Sequence, residues 1–220
     1  MVSLSTAWCP HRVTRLPKLF AACRKIGFTS FELGVSAARF ELRAVLQAIE
    51  RQGIEISSVH AVCTERAVPG PTRRGDWVAE PDEALRREGV ALVKETLDVA
   101  LRVCAPVVIL HGGTLPVPEG PAVQFELYRA VSQGAGPAQL QPHLNRIIAD
   151  REALAPAYLR ALETSLTELC DYAPDLTIAL RNRYFVHELP HGDEFQEIFD
   201  RVAAPNLRYW HDVGHAHVLD

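Results

Sequence analysis

Residues 106–113 read PVVILHGG. Val107, Val108, Ile109 and Leu110 leave no polar position on either side, so a strand built from them has no face for water. Such a near-continuous apolar run is the pattern of a parallel strand covered on both faces, whereas a strand with one wet face alternates. It belongs at the centre of a sheet, and it ends on an ionisable ring, His111. Parallel neighbours must be reached by long crossovers, usually helical, and both flanks of the run supply them.

Upstream, residues 81–103 carry a long amphipathic helical pattern, preceded by a polar loop rich in Pro and Gly and by a β-branched strand at 54–60. Before that come a helix at 41–52 stopped by Gly53, a strand at 28–33 closed by Gly34, a helix at 16–26 with Pro17 near its start and Gly27 at its end, and a short strand at 2–7. Downstream, residues 114–136 are rich in Pro and Gly with a short helical piece at 125–131, which reads as an insertion in the fourth connection. The pattern resumes with a helix at 157–172, a strand at 176–180, a helix at 194–202 and a strand at 207–211. No low-complexity linker divides the chain, so residues 1–220 read as a single domain.

Strand followed by helix, repeated, calls for an α/β fold with a parallel sheet and right-handed crossovers. The sheet is either open and doubly wound or closed as a (β/α)8 barrel. Ionisable or polar residues stand at the C-terminal end of strand after strand: Glu32, His60, His111, Arg181 with Asn182, and Asp212 with His215. In a barrel all of these surround one mouth. The loop after the first strand, AWCPHR, lacks the glycine fingerprint of dinucleotide folds. The barrel is therefore expected, with the six strands in sequential order.

Several of these segments together resemble a known superfamily. STAW (5–8), GFTSFELG (27–34), SVHA (58–61), VILHGG (108–113), ALRNRYFVHELP (179–190) and YWHDVGHA (209–216) are similar, in order, to the xylose isomerase-like TIM barrels, sugar phosphate isomerases and epimerases among which endonuclease IV also belongs. The resemblance spans essentially the whole chain; HDVGH behind a strand, paired with the NRY segment, is its most specific part. It implies a (β/α)8-type barrel. Relatives continue through two further strands, so the sequence reads as a barrel truncated after its sixth.

The resemblance also implies a chemistry. Epimerases of this kind hold a divalent metal, Mn²⁺ or Zn²⁺, with carboxylates and imidazoles, and carboxylates pass a proton at the carbon next to a carbonyl. A hard cation lowers the cost of the enediolate by polarising the substrate oxygens. Asp212 then corresponds to a metal ligand, and His215, one turn of loop later, to a contact with metal or substrate, with Gly214 allowing a tight turn. In an endonuclease-like arrangement His60, His111 and His215 bind zinc. Glu32 orients a histidine or touches substrate. The departure is at the fifth strand, where relatives have Glu and this chain has Arg181. An arginine offers no lone pair to a metal and does not act as a base. Metal-assisted catalysis by this chain is therefore expected to be impaired. Glu188, in the loop beyond, is no evident substitute. A third reading is a non-catalytic barrel in which Arg181 grips a phosphate or carboxylate and Asn182 helps bind the ligand.

Composition narrows the partners. A formal charge of −4 over 220 residues gives no basic face for nucleic acid, which disfavours the zinc phosphodiesterase reading and leaves a small-molecule sugar as the expected partner. No apolar run approaches a membrane span. Five cysteines without a CxxC pair point to packed, reduced thiols and a cytoplasmic setting. His187, His191 and His217 read as solvated, and His211 as facing away from Asp212. Tyr184, Trp8 and Trp210 are candidates for an apolar wall at the mouth. The sixth strand, LRYWH, is aromatic and poor in acid; left as an edge, it predicts homo-oligomerisation.

Overall fold

The computed structural model describes residues 2–8, 15–34, 41–65, 74–117 and 120–219. Cys9, Arg73 and most of the loop expected after the third strand lie outside the described residues, as does the side chain of Trp8.

Six strands form one parallel sheet in the order of the chain: β1 (Leu4–Ser5), β2 (Ser30–Leu33), β3 (Glu55–His60), β4 (Val107–Leu110), β5 (Thr177–Arg181) and β6 (Leu207–Trp210). Helices α1 (Leu16–Arg24), α2 (Leu42–Gln52) and α3 (Glu83–Arg102) fill the first three crossovers; α4 (Gly120–Ser132) and α5 (Pro137–Tyr172) share the fourth, and α6 (Glu194–Val202) makes the fifth. This sequential order is that of a TIM-barrel-like sheet and excludes a doubly wound one. The sheet curls strongly: the hydroxyls of Ser3 and Ser57 meet at 2.6 Å although β2 lies between their segments. A register shift between Phe31 and Glu32 leaves Ser57 unmatched and sets Ser58 opposite Glu32.

β4 is central as its sequence demanded, with Val108, Ile109 and Leu110 buried between β3 and β5. The apolar stripes of the helices close over the outer face. Phe20 of α1 lies 4.8 Å from Phe31 of β2 between ring centroids, and Leu162, Leu166 and Leu169 of α5 are fully buried. The Asp82 carboxylate caps α3 by accepting from the backbone N–H groups of Ala84 and Leu85.

Two elements differ from the sequence reading. The helix expected at 157–172 begins twenty residues earlier, at Pro137, and runs through Pro142 and Pro156. Each proline removes one helical hydrogen bond, so both read locally as breaks; the helix persists because residues beyond them pack on the core. The HDVGHAHVLD segment, expected as loop, instead forms α7 (Val213–Leu219). Asp212 stands before its first turn and accepts from the His215 N–H at 2.8 Å, as a helix cap does. Gly214 is therefore no tight-turn glycine; a Cβ there would come to 3.2 Å from Asp212 Oδ1. Among the described residues no helix is long and apolar enough to cross a membrane.

Candidate active site

The C-terminal ends of the strands bring the expected residues to one rim. Arg181, last in β5, lies at its centre. Its Nη1 donates to His60 Nε2 at 3.0 Å, and its Nη2 donates to Asp212 Oδ2 and lies 3.5 Å from His215 Nε2. Three acceptors from β3, from the end of β6 and from α7 thus face one guanidinium.

Each acceptor is held from behind. His60 Nδ1 is 2.9 Å from the carbonyl of Ala61, and His215 Nδ1 is 2.9 Å from the carbonyl of Asn182. A carbonyl only accepts, so both rings carry their proton on Nδ1 and present an Nε2 lone pair to Arg181. Asn182, itself buried, donates through Nδ2 to the Asp212 carbonyl at 3.0 Å and accepts from the Asp212 N–H, fixing that residue's backbone. Asn182 is thus a positioning residue for the rim.

The charges follow from these contacts. Burial pushes the Asp212 carboxyl up, but the His215 N–H and the Arg181 guanidinium outweigh it and hold the group below its usual range. Burial, seconded by Arg181, keeps His60 below its ordinary value and so neutral.

His111 stands one step aside. Its ring meets that of His60 edge-on at 4.6 Å, and its Nδ1 lies 3.7 Å from Asp76 Oδ1, beyond hydrogen-bond reach. Burial above all, with Arg183 and His60 adding to it, pushes its pKa down to about 3. Asp76 accepts from Thr114 Oγ1 at 2.9 Å. Despite burial, which would raise it, its carboxyl is held low by His111, Arg183 and Thr114. Gly113 makes this approach possible: at φ +129° it occupies backbone space that L side chains avoid, and a Cβ there would sit 2.5 Å from Ala79 Cβ.

Among the described residues, Glu32 makes no hydrogen bond to a histidine. Its carboxylate accepts from Ser5 on one neighbouring strand at 2.7 Å and from Ser58 on the other at 3.3 Å. Glu188 is completely buried and paired with the Arg183 guanidinium, and it also accepts from the Phe185 N–H at 3.1 Å. It is spent on structure beneath the rim. Tyr184 does reach the mouth, its ring 4.8 Å from that of His215. His211 pairs with Tyr209, away from the cluster. His217 is exposed, as expected, but His187 is buried and stacked on Phe185 at 5.1 Å, and His191 is half-buried. Of the thiols, Cys23, Cys63 and Cys170 are packed inside; Cys104 is exposed.

The residues missed by sequence reasoning are Asp76, Arg183 and Thr114. Asp76 sits in a short 3₁₀ turn (Arg74–Ala79) and Arg183 and Thr114 in loops, and their meeting depends on tertiary contacts that carry no local periodicity. A cavity of about 530 Å³ also lies on the outer side of β6, between Phe195, Phe199 and Tyr209, touching the expected set only at Asn182.

The xylose isomerase-like TIM barrel family model matches residues 20–220. The chain belongs to that family. No curated relative matches its sequence. Among solved structures it is similar to a D-psicose 3-epimerase with D-tagatose from Clostridium cellulolyticum H10 (TM-score 0.64, 11% identity), covering 98% of this chain and 64% of that one. It is similar as well to an L-ribulose 3-epimerase (TM-score 0.63, 13% identity; 99% of this chain, 63% of that one). A third is the 3-keto-D-glucoside 4-epimerase from E. coli (TM-score 0.58, 12% identity; 98% and 69%). At such identities the likeness shows the fold alone. The chain spans just under two thirds of the length of the first two.

The residues of this family member do not fit a divalent ion as they stand. The lone pairs of His60 and Asp212 are taken up by N–H donors of Arg181, and that of His215 faces the same cation. Among the described residues, no group of three or more His, Cys, Asp or Glu is disposed to hold a metal.

Proposed function

We propose that this chain is a sugar-directed member of the isomerase/epimerase branch of its family. It binds a polyol at the rim, and the metal-assisted proton transfer next to a carbonyl is impaired in it. One observation carries the reading: Arg181 occupies the end of β5, engaged with Asp212 and His60. That position then supplies neither a metal ligand nor a base. The family match and the names of the three solved neighbours given above, each a sugar epimerase, support a sugar as the ligand.

The rim chemistry favours a neutral polyol over a phosphate ester. Arg181 and Arg183 are each already committed to a carboxylate, so a phosphate dianion would have to break an ion pair. Hydroxyl groups can donate to the Glu32 carboxylate, and the Tyr184 ring offers a face to sugar C–H groups. The same committed state counts against a free bidentate grip by Arg181.

Saturation-transfer NMR with D-psicose, D-fructose, D-tagatose and L-ribulose tests binding, and loss of the C3 proton in D₂O tests proton transfer. Binding of a ketose without C3 exchange is the expected result. Rapid exchange that stops on adding a chelator would refute the impairment; no binding of any sugar would refute the ligand class.

A further inference from the structure

We propose that the Arg181 guanidinium is the resident cation of the mouth, tethered by its own side chain at the point where His60, Asp212 and His215 converge. The inference rests on the reading of this rim as the ligand mouth.

The first argument is the direction of the lone pairs. Both imidazoles spend their Nδ1–H on backbone carbonyls, Ala61 and Asn182, at 2.9 Å. Backbone carbonyls behind a ring are what fix a metal-binding imidazole with its other nitrogen bare. Here the bare Nε2 atoms and the Asp212 carboxylate all point at one place. Lone pairs and a carboxylate brought together repel unless positive charge lies among them, and among the described residues the guanidinium of Arg181 is the charge that faces all three. Its planar fork meets two acceptors with two different terminal nitrogens, a geometry an ammonium does not reproduce.

The second argument is charge. Arg181 and Asp212 balance, and both ring Nε2 atoms face the guanidinium. A divalent ion entering this cluster would stand against a fixed positive charge and find its ligands already accepting N–H bonds. One further ring nitrogen lies nearby: among the described residues His111 Nε2 is buried without a hydrogen-bond partner, its ring against that of His60. The cluster is thus organised as a cation site whose cation does not exchange. Removing the guanidinium should expose a set of donors suited to a borderline or hard divalent ion.

The test uses the full chain, stripped with a chelator and titrated with Zn²⁺ by calorimetry, in wild type, Arg181→Glu and Arg181→Glu/Asp212→Asn forms. Wild type should take up no stoichiometric ion. Arg181→Glu should bind one ion per chain at least about a hundredfold more tightly, since a like charge beside the ion is exchanged for an opposite one, and the added Asp212→Asn change should weaken this again. Should Arg181→Glu fail to fold, ¹⁵N NMR of the wild-type histidines decides: His60 and His215 must be Nδ1–H tautomers whose Nε2 shifts do not move on adding Zn²⁺. Stoichiometric Zn²⁺ binding by wild type with both Nε2 signals shifted would overturn the proposal, as would a folded Arg181→Glu chain that binds no better than wild type. A chain that ignores Zn²⁺ yet binds no sugar would support the tethered cation while defeating the sugar reading.

Discussion

Replacing Glu188 by alanine should destabilise the protein severely, although Glu188 touches no predicted ligand. Its side chain is fully buried and that of its partner Arg183 is 6% exposed. The guanidinium is already short of partners, because its Nε and Nη1 are buried with none among the described residues. Removing the carboxylate leaves a buried cation without its hydrogen-bonded counter-charge, with only the more distant Asp76 carboxylate near it, which costs about 3–5 kcal/mol. The Phe185 N–H loses its acceptor as well, adding about 1–3 kcal/mol for a buried unsatisfied donor. For a domain of this size a loss of about 4 kcal/mol lowers Tm by roughly 8–16 °C. Urea unfolding followed by circular dichroism gives the free energy. The control is Arg183→Met/Glu188→Leu, which removes both charges and should recover most of the loss, since well-packed apolar pairs replace buried ion pairs at little cost. A Glu188→Ala cost below about 1 kcal/mol, or a double variant worse than the single one, would show that the pair is not the buried support of the β5 loop.

Acid should weaken the fold in two windows. His111 is held near 3 when folded, so below about pH 6.5 the unfolded chain takes up the proton first; its stabilisation is complete above that pH and declines by about 2–3 kcal/mol by pH 4.5. His60, also held low, acts in the same direction, and Asp76 adds a further loss as the pH falls below the ordinary carboxylate range. A His111→Gln chain should show a shallower decline over the upper window, and equal slopes would contradict the assignment. Gly113→Ala should cost several kcal/mol, because it combines a positive φ with a 2.5 Å clash against Ala79 Cβ; a cost under about 1 kcal/mol would mean the 3₁₀ turn carrying Asp76 moves aside freely.

The sequence carried the architecture because burial on both faces leaves a direct mark: Val107 to Leu110 admit no wet side, and polar residues recur at the C-terminal ends of the strands. It carried the rim for the same reason, since Glu32, His60 and Arg181 sit at the C-terminal ends of their strands and His111, Asp212 and His215 follow shortly after theirs. What it hid was pairing. Nothing local says that Asp76 meets Thr114, that Glu188 neutralises Arg183, or that two histidines turn their bare nitrogens onto Arg181. The extent of α5 was hidden by Pro142 and Pro156, whose local signal is a break, and α7 by a run of histidine and glycine with weak helix propensity. In each case a tertiary contact outweighs a local preference.

Anomalous diffraction from crystals of the unaltered chain soaked in Mn²⁺ or Zn²⁺ tests the tethered cation most directly. The expected map has no anomalous peak among His60, Asp212 and His215, and the Arg181 guanidinium fills that space with its bonds to His60 Nε2 and Asp212 intact. A peak coordinated by Asp212 and His215, with Arg181 swung out of the mouth, would contradict it.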